Sequence, residues 1–380
     1  MHAPATETSW GIVPWAIDFT PPEQPLSRDA DFAVIGGGFT GLAAAAWLRL
    51  LAPERSVVLL EAGRIGAGAS GRTGGIALAE TAAGDLPGLG DVLAGFSAIL
   101  DKLGARCDLS LPGAWEIARS GGLDNSPIHW TDSGTLRVVN EVPGGTLDPG
   151  KLVSALGRAA ERLGAVICEN RTVSDVCWGE RAEIIVERDG ADAEKISAGK
   201  IIFATNALSL PLSGLAGGMH PRLTLAVRTA PLPEAGLAAI GLAQRKPFYT
   251  VDFPYLWGRV LADNSIVWGA GLVSEPESGD LRETNIAAEE PSRMFANIEK
   301  RIRGLHPALA SAQFTHLWGG PILFRDQWLP VFSRHPESAN GIVLGAYAGH
   351  GVALSSYLGA WAVEALLGQR ELPPWGALSS

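Results

Sequence analysis

Cysteine is scarce in this chain. Its 380 residues hold three, Cys107, Cys168 and Cys177, at no metal-ligand spacing, and an odd few in so long a chain make no disulfide framework. A reducing cytoplasm suits them. Also missing is an unbroken apolar run of the roughly 18–20 residues a spanning helix needs, because Gly, Arg or Pro interrupts every long candidate. Met1 to Trp15 contains no basic stretch followed by an apolar one, so no signal peptide is expected. Positive charge is in deficit: 30 Lys plus Arg stand against 40 Asp plus Glu, a net charge of −10. That balance argues against nucleic acid as a partner. The seven histidines form no H-x-x-x-H pair, and no metal site is expected. Glycine, by contrast, is abundant at 47 residues, and 47% of the chain is hydrophobic. At roughly 150 residues per domain, this length predicts two globular domains.

Residues 1–30 carry Pro and Trp without periodicity and read as an extended arm packed on the body. The pattern changes at Asp31. Phe32-Ala33-Val34-Ile35 is a short buried strand, Gly36 to Gly41 a tight turn, and Leu42 to Leu51 a helix that Pro53 ends. Ser56 to Leu60 is a second apolar strand, closed by Glu61. Strand, glycine turn, helix and strand make a βαβ unit with a parallel pair. Further on, Leu152, Leu156, Ala159, Ala160 and Leu163 share one face of a helix over 149–163. Strands follow at 166–168, 173–176, 183–188 and 201–204. From about 212 to 325 the text is strand-like and aromatic, with a hairpin at Ala262-Asp263-Asn264-Ser265. A last buried strand, Ile342 to Leu344, leads through Gly349-His350-Gly351 into a helix from about Ala353 to Leu367. The C-terminus therefore returns to complete the first domain.

Gly36, Gly38 and Gly41 have separate tasks in a dinucleotide turn: the tight bend, the close approach of backbone to a pyrophosphate, and close helix–strand packing. Phe39 and Thr40 open the helix, whose free N–H groups and positive dipole end face that phosphate. Glu61 lies twenty residues after Gly41, where its carboxylate meets the ribose hydroxyls of an adenosine, with Ala62 beside it. An NAD-dependent dehydrogenase needs the same glycines and acid, and this motif alone leaves that alternative open.

The segment Gly66-Ala67-Gly68-Ala69-Ser70-Gly71-Arg72-Thr73-Gly74-Gly75 is more specific. It resembles the G-x-G-A-S-G-R-N-G-G loop of the D-amino-acid oxidase superfamily, in the branch of gamma-glutamylputrescine oxidase and its sarcosine-oxidase-like relatives, with Thr73 in place of Asn. Further echoes are Leu147 to Leu152, Thr172-Val173, Ala204-Thr205-Asn206-Ala207, Trp318-Gly319-Gly320 and Ala348 to Ala353, so the resemblance runs from about Asp31 to Gly368. It implies bound FAD. Contacts are then expected from Gly68, Ala69, Ser70, Gly71 and Arg72, from Val173 against the adenine, from Ala204 and Asn206, and from Gly349, His350, Gly351 and Val352 at the flavin's pyrimidine end. The resemblance further implies oxidation of the C–N bond of a small amine or amino acid by hydride transfer to flavin N5, giving an imine.

Two departures sharpen this. The C-terminal third has no Cys and the Gly66 to Gly75 loop no His, so FAD is expected to be non-covalent. The strand Ser265 to Gly269 lacks the oxygen-activating Lys of sarcosine-oxidase-like members, which leaves the electron acceptor open between O2 and another molecule. A flavin-binding paralogue without turnover is a further alternative.

Tyr249, Asp252, Tyr255, Trp257 and Trp268, with Trp318, Arg325 and Trp328, predict an aromatic pocket suited to a cationic or flat apolar substrate. Arg72 or Arg325 is a candidate for a substrate carboxylate, and Asp252 for a distal ammonium. Amine and amino-acid substrates stay unranked. His350 is the titratable candidate for tuning or catalysis. The expected fold is α/β: a Rossmann-like FAD-binding domain with a parallel sheet, formed by 31–90, 148–211 and 326–371, and a substrate domain on a mainly antiparallel sheet, formed by 91–147 and 212–325.

Overall fold

A computed structural model of the chain describes residues 9–188, 190, 192–215 and 217–377; residues 1–8 of the expected arm lie outside the described residues. The apolar run Phe32-Ala33-Val34-Ile35 forms the second half of strand β1 (Asp29–Ile35), and all four of its residues are buried. Helix α1 (Phe39–Leu51) and strand β2 (Val57–Leu60) follow. β1 pairs in parallel with β2 on one side, Ile35 opposite Leu60, and with strand Glu194–Phe203 on the other, Ile35 opposite Phe203. Val166–Cys168 adds to β2 and Ser338–Gly345 to Glu194–Phe203, both in parallel. Val331–His335 closes one edge, and Thr172–Cys177 with Ala182–Glu187 forms an antiparallel branch, giving eight strands.

Residues buried from both faces make the parallel strands near-continuous apolar runs. Helix α1 is buried along Phe39 to Leu48. It packs between helix Pro149–Arg162 and the C-terminal helix Gly351–Leu366, and its run of Ala permits the close approach: at Gly359 a Cβ would stand 2.6 Å from the Thr40 carbonyl oxygen. The first of those helices begins on a capped turn, the Asp148 side chain accepting the Lys151 N–H at 2.9 Å with Pro149 at the first position.

The second sheet also has eight strands, in the order Phe314–Arg325, Met219–Thr229, Ile266–Val273, Trp257–Val260, Phe248–Thr250, Ala114–Ala118, Thr135–Val142, Trp130–Thr131. Every pair is antiparallel except Phe248–Thr250 with Ala114–Ala118. Helix Glu289–Leu305 buries Phe295, Ile298, Ile302 and Leu305, a stripe at helical spacing, against it. Trp130, Phe248 and Trp268 meet there with ring centroids 5.0–5.4 Å apart. Trp268, expected in the substrate pocket, is fully buried in this core instead. The mixed α/β class is as read from the sequence; the first sheet is parallel only in five adjacent strands, with antiparallel pairs at one edge and in the branch, and the second is mainly antiparallel. Strand Glu194–Phe203 is much longer than the apolar run at 201–204, because its first half alternates buried Ile196 and Ala198 with half-buried Ser197 and Gly199.

Candidate functional site

One cavity of about 1240 Å³ runs between the sheets, from Glu61, Arg171 and Val173 at one end past Gly38 and Ser70 to Trp257, Tyr249 and the Gly349 to Val352 segment. That exceeds the roughly 300–1,000 Å³ of common small-molecule pockets and leaves room for a large cofactor with a second molecule.

The turn after β1 is built by exclusion of side chains. Gly36 has φ +108, and a Cβ there would lie 2.6 Å from the Ala204 carbonyl oxygen; one at Gly41 would overlap the Gly36 carbonyl oxygen. Helix α1 thus starts close against the strand ends, with the Leu42 N–H on the Gly38 carbonyl at 2.9 Å. Its first free donor, the Phe39 N–H, meets the Ser70 hydroxyl at 2.8 Å. The Gly66–Gly75 loop is thereby tied to the helix N-terminus, where an anion is favoured. Behind it, the Thr40 hydroxyl and the Tyr347 phenol share a hydrogen bond of 2.9 Å, a partnership no motif announced.

Glu61 stands at the end of β2 and accepts the Gly37 N–H at 2.7 Å and the Gly63 N–H at 2.9 Å. Burial pushes its carboxyl above the ordinary range, those two donors pull it back, and Glu169 adds to the rise. Ala62, Phe39, Thr40, Gly68, Ala69, Val173, Ala204 and Asn206 all line the same cavity. The Asn206 side chain also accepts the Ala346 N–H at 3.0 Å, joining two chain crossings below the C-terminal helix. Gly68 borders open space, with the nearest atom 3.9 Å from where a Cβ would stand.

Gly71 and Arg72 depart from expectation. The Gly71 N–H closes a turn on the Gly66 carbonyl at 2.9 Å and its carbonyl accepts the Trp15 indole N–H at 2.7 Å, which makes it a packing residue behind the lining. Arg72 lines the cavity, yet its guanidinium is committed to main chain. It donates to the carbonyls of Trp10, Gly11 and Gly319 at 3.1 Å each and of Ala67 at 3.3 Å. It pins the N-terminal arm and the edge strand Phe314–Arg325 of the second sheet over the loop, and holds no donor pair ready for a carboxylate. Trp318 completes the pin through its indole N–H on the Arg72 carbonyl at 2.9 Å.

Arg325 is corrected too: it donates to the Ala377 carbonyl at 2.8 Å and is absent from the cavity lining. Asp252 does line the cavity, but its carboxylate is ion-paired with Arg119 and accepts the Arg119 N–H at 2.8 Å. Arg119 also pairs with Asp132, which pairs with Arg301, and both arginines donate to the Pro254 carbonyl. This network fixes the segment 252–255 at the cavity mouth; no spacing in the sequence connects its four charges.

Trp257 is wedged between two glycines, since a Cβ at Gly74 or at Gly269 would collide with its ring. Tyr255 is 39% exposed, yet its hydroxyl lies within the cavity walls, where burial, with Glu80, pushes it up to about 12. The Tyr249 phenol lies 3.0 Å from a Glu80 oxygen and 2.9 Å from a Glu116 oxygen. Glu80 lines the cavity and belongs to no motif, so the sequence did not single it out. His350 begins the C-terminal helix with its side chain in the cavity wall; burial holds its imidazole below the ordinary value, which keeps it neutral at neutral pH.

Comparisons with known proteins agree with this geometry. The family model described as FAD dependent oxidoreductase matches residues 31–365. A protein named probable oxidoreductase OrdL from Rhizobium meliloti is 27% identical, over 92% of this chain and 85% of that one. The gamma-glutamylputrescine oxidoreductase of Escherichia coli is 24% identical over 91% of this chain and 85% of its own length. Glycine oxidase from Geobacillus kaustophilus has the same fold, with a TM-score of 0.68 at 19% identity, covering 91% of this chain and 96% of the other.

Proposed function

This chain belongs to the FAD-dependent oxidoreductase (DAO) family, and from that premise we propose that it oxidises the C–N bond of a small amine or amino acid to an imine. FAD, when bound, supplies the acceptor for the hydride that leaves the carbon beside nitrogen. The observation that carries this reading is a single continuous cavity joining the glycine turn and Glu61 to an aromatic wall. A lone nicotinamide site would need no second sheet packed over the Gly66–Gly75 loop.

In this reading the cofactor is held by main chain. The Gly38 and Thr40 N–H groups, with the Ser70 hydroxyl that the Phe39 N–H fixes, would hold the pyrophosphate, Glu61, already set by the Gly37 and Gly63 N–H groups, would accept from the ribose hydroxyls, and Val173 would cover the adenine. The start of helix Gly351–Leu366, with neutral His350, lines the cavity, and its positive end would favour a bound ring that gains negative charge on reduction. No cysteine lines the cavity among the described residues, which supports a releasable cofactor. The first sheet serves as FAD-binding domain and the second as substrate domain. Trp257 and Tyr255 exclude water from the reacting carbon and orient a neutral amine.

The test is anaerobic mixing of the purified protein with a panel of amines and amino acids. Bleaching of the visible flavin band by one or more of them is expected. A flavin-loaded protein that dithionite bleaches but no member of a broad panel does would refute amine oxidation.

A further inference from the structure

We propose that Glu80, backed by the Tyr249 phenol and flanked by Tyr255 and Trp257, binds a positively charged group of the substrate, and that the substrate is accordingly a cationic amine without an α-carboxylate. This rests on the cavity's being the site of amine oxidation and names the substrate class.

Proton counting is the first ground. The Tyr249 phenol makes two oxygen–oxygen contacts of hydrogen-bond length, to Glu80 at 3.0 Å and Glu116 at 2.9 Å. Two such contacts need two protons, and a phenol has one. Glu116 is the better supported carboxylate, because the Asn140 amide donates to its other oxygen at 3.0 Å. The second proton therefore sits on Glu80. Burial, then Glu116 and Asp85, raise the Glu80 carboxyl against the pull of Tyr249. An arriving cation reverses that preference: it takes the place of the proton, and Tyr249 turns to serve either carboxylate.

The surrounding wall is the second ground. Tyr249, Tyr255 and Trp257 line the cavity around Glu80, and aromatic faces beside a carboxyl suit an alkylammonium. Third, the basic side chains of the lining are already engaged. Arg72 holds carbonyls, Arg282 is paired with Asp280 and Arg188 with Glu23, while Arg171 is set at the Glu61 end, its main-chain N–H on the Glu61 carbonyl and its guanidinium donating to the Asn170 carbonyl. Burial keeps His350 uncharged. An α-carboxylate entering here would meet Glu80 and no ready guanidinium.

The experiment titrates FAD-loaded protein calorimetrically with pentyltrimethylammonium, a cation with no nitrogen lone pair to oxidise, and with hexanol and hexanoate as neutral and anionic controls. Glu80 is faced by Tyr249 from strand Phe248–Thr250, by Glu116 from strand Ala114–Ala118, by Asp85 and by Tyr255; the proton the cation displaces is the one on Glu80. Binding should release about one proton per cation at pH values below the Glu80 titration, read from the heat in two buffers of different ionisation enthalpy. Affinity for the cation should rise with pH until Glu80 is ionised. Glu80→Gln should weaken the cation about tenfold or more and abolish the release, leaving hexanol binding unchanged, whereas Glu80→Asp retains the charge and part of the affinity. Equal cation affinity in wild type and Glu80→Gln, or hexanoate bound more tightly than the cation, would overturn the proposal. A colourless wild-type protein would overturn the FAD reading instead, and the same titration on it would still decide this one.

Discussion

The two ends of the cavity are made in different ways. At the glycine turn the ligand-facing surface is main chain, placed by residues that lack side chains: Gly36, Gly38 and Gly41 lie within six consecutive positions, and Glu61 follows one strand later. At the substrate wall the surface is side chain. Glu80 comes from one segment and Tyr249, Tyr255 and Trp257 from a hairpin 169 residues later, which is held by partners as remote as Arg119, Asp132 and Arg301. A backbone cradle depends on local spacing, so it is compact in sequence; a side-chain wall depends on register between strands, so it is dispersed.

That contrast fails most visibly if glycines at the first end are interchangeable. Gly41→Val, which forces a side chain into the Gly36 carbonyl, is expected to cost about 3 kcal/mol or more and to give little folded protein in expression and denaturation assays. Gly68→Ala should fold with unchanged stability as apoprotein, its new methyl entering open space, and bind FAD less tightly. Equal behaviour of the two would mean that the cradle is not shaped by exclusion.

Arg72→Ala tests whether an arginine in the lining belongs to the frame or to the substrate. Removing donors from the Trp10, Gly11 and Gly319 carbonyls should lower stability in urea by about 2–3 kcal/mol. A rise in KM at unchanged stability would return Arg72 to the substrate anchor expected from the sequence. Glu61→Gln keeps the shape and loses the charge that accepts two backbone N–H groups; FAD affinity should fall about tenfold by equilibrium dialysis.

Glu80 gives a smaller effect of defined sign. Its folded-state carboxyl is raised above the ordinary 4.5, so between those two values the folded protein binds more protons than the unfolded chain, and stability falls as pH rises through that window. Compared with wild type, Glu80→Gln should flatten the fall, by less than about 1 kcal/mol because the group is partly solvated. The reverse slope in thermal unfolding would contradict the placement of the proton. Smallest of all, Arg325→Ala should leave KM unchanged and cost at most about 1 kcal/mol, since it lies outside the cavity lining and donates to the Ala377 carbonyl of the C-terminal segment.

Much of the fold was legible because its signals are local. The βαβ unit, the helix after Pro149 and the hairpin at Asp263-Asn264 were readable from apolar period, cap and turn residues, and the family loop Gly66 to Gly75 stood out by composition. The role of Asp252 was not. A carboxylate on a strand looks free until Arg119, more than a hundred residues earlier, is seen beside it. Arg72 and Arg325 misled in the same way, because carbonyl partners leave no trace in side-chain patterns. Glu80 and Tyr347 were passed over because each is an ordinary residue whose importance is a neighbour, Tyr249 or Thr40, from another layer. Trp268 read like its neighbour Trp257 because a strand alternates faces, and only the register shows which face is the core.

The backbone cradle itself is tested most directly by the amount of FAD released on acid precipitation from equal quantities of folded wild-type and Glu61→Arg protein. About one FAD per wild-type chain and less than about a tenth of that from the variant is the predicted result. Equal loading of the two, with matching circular dichroism, would contradict the account.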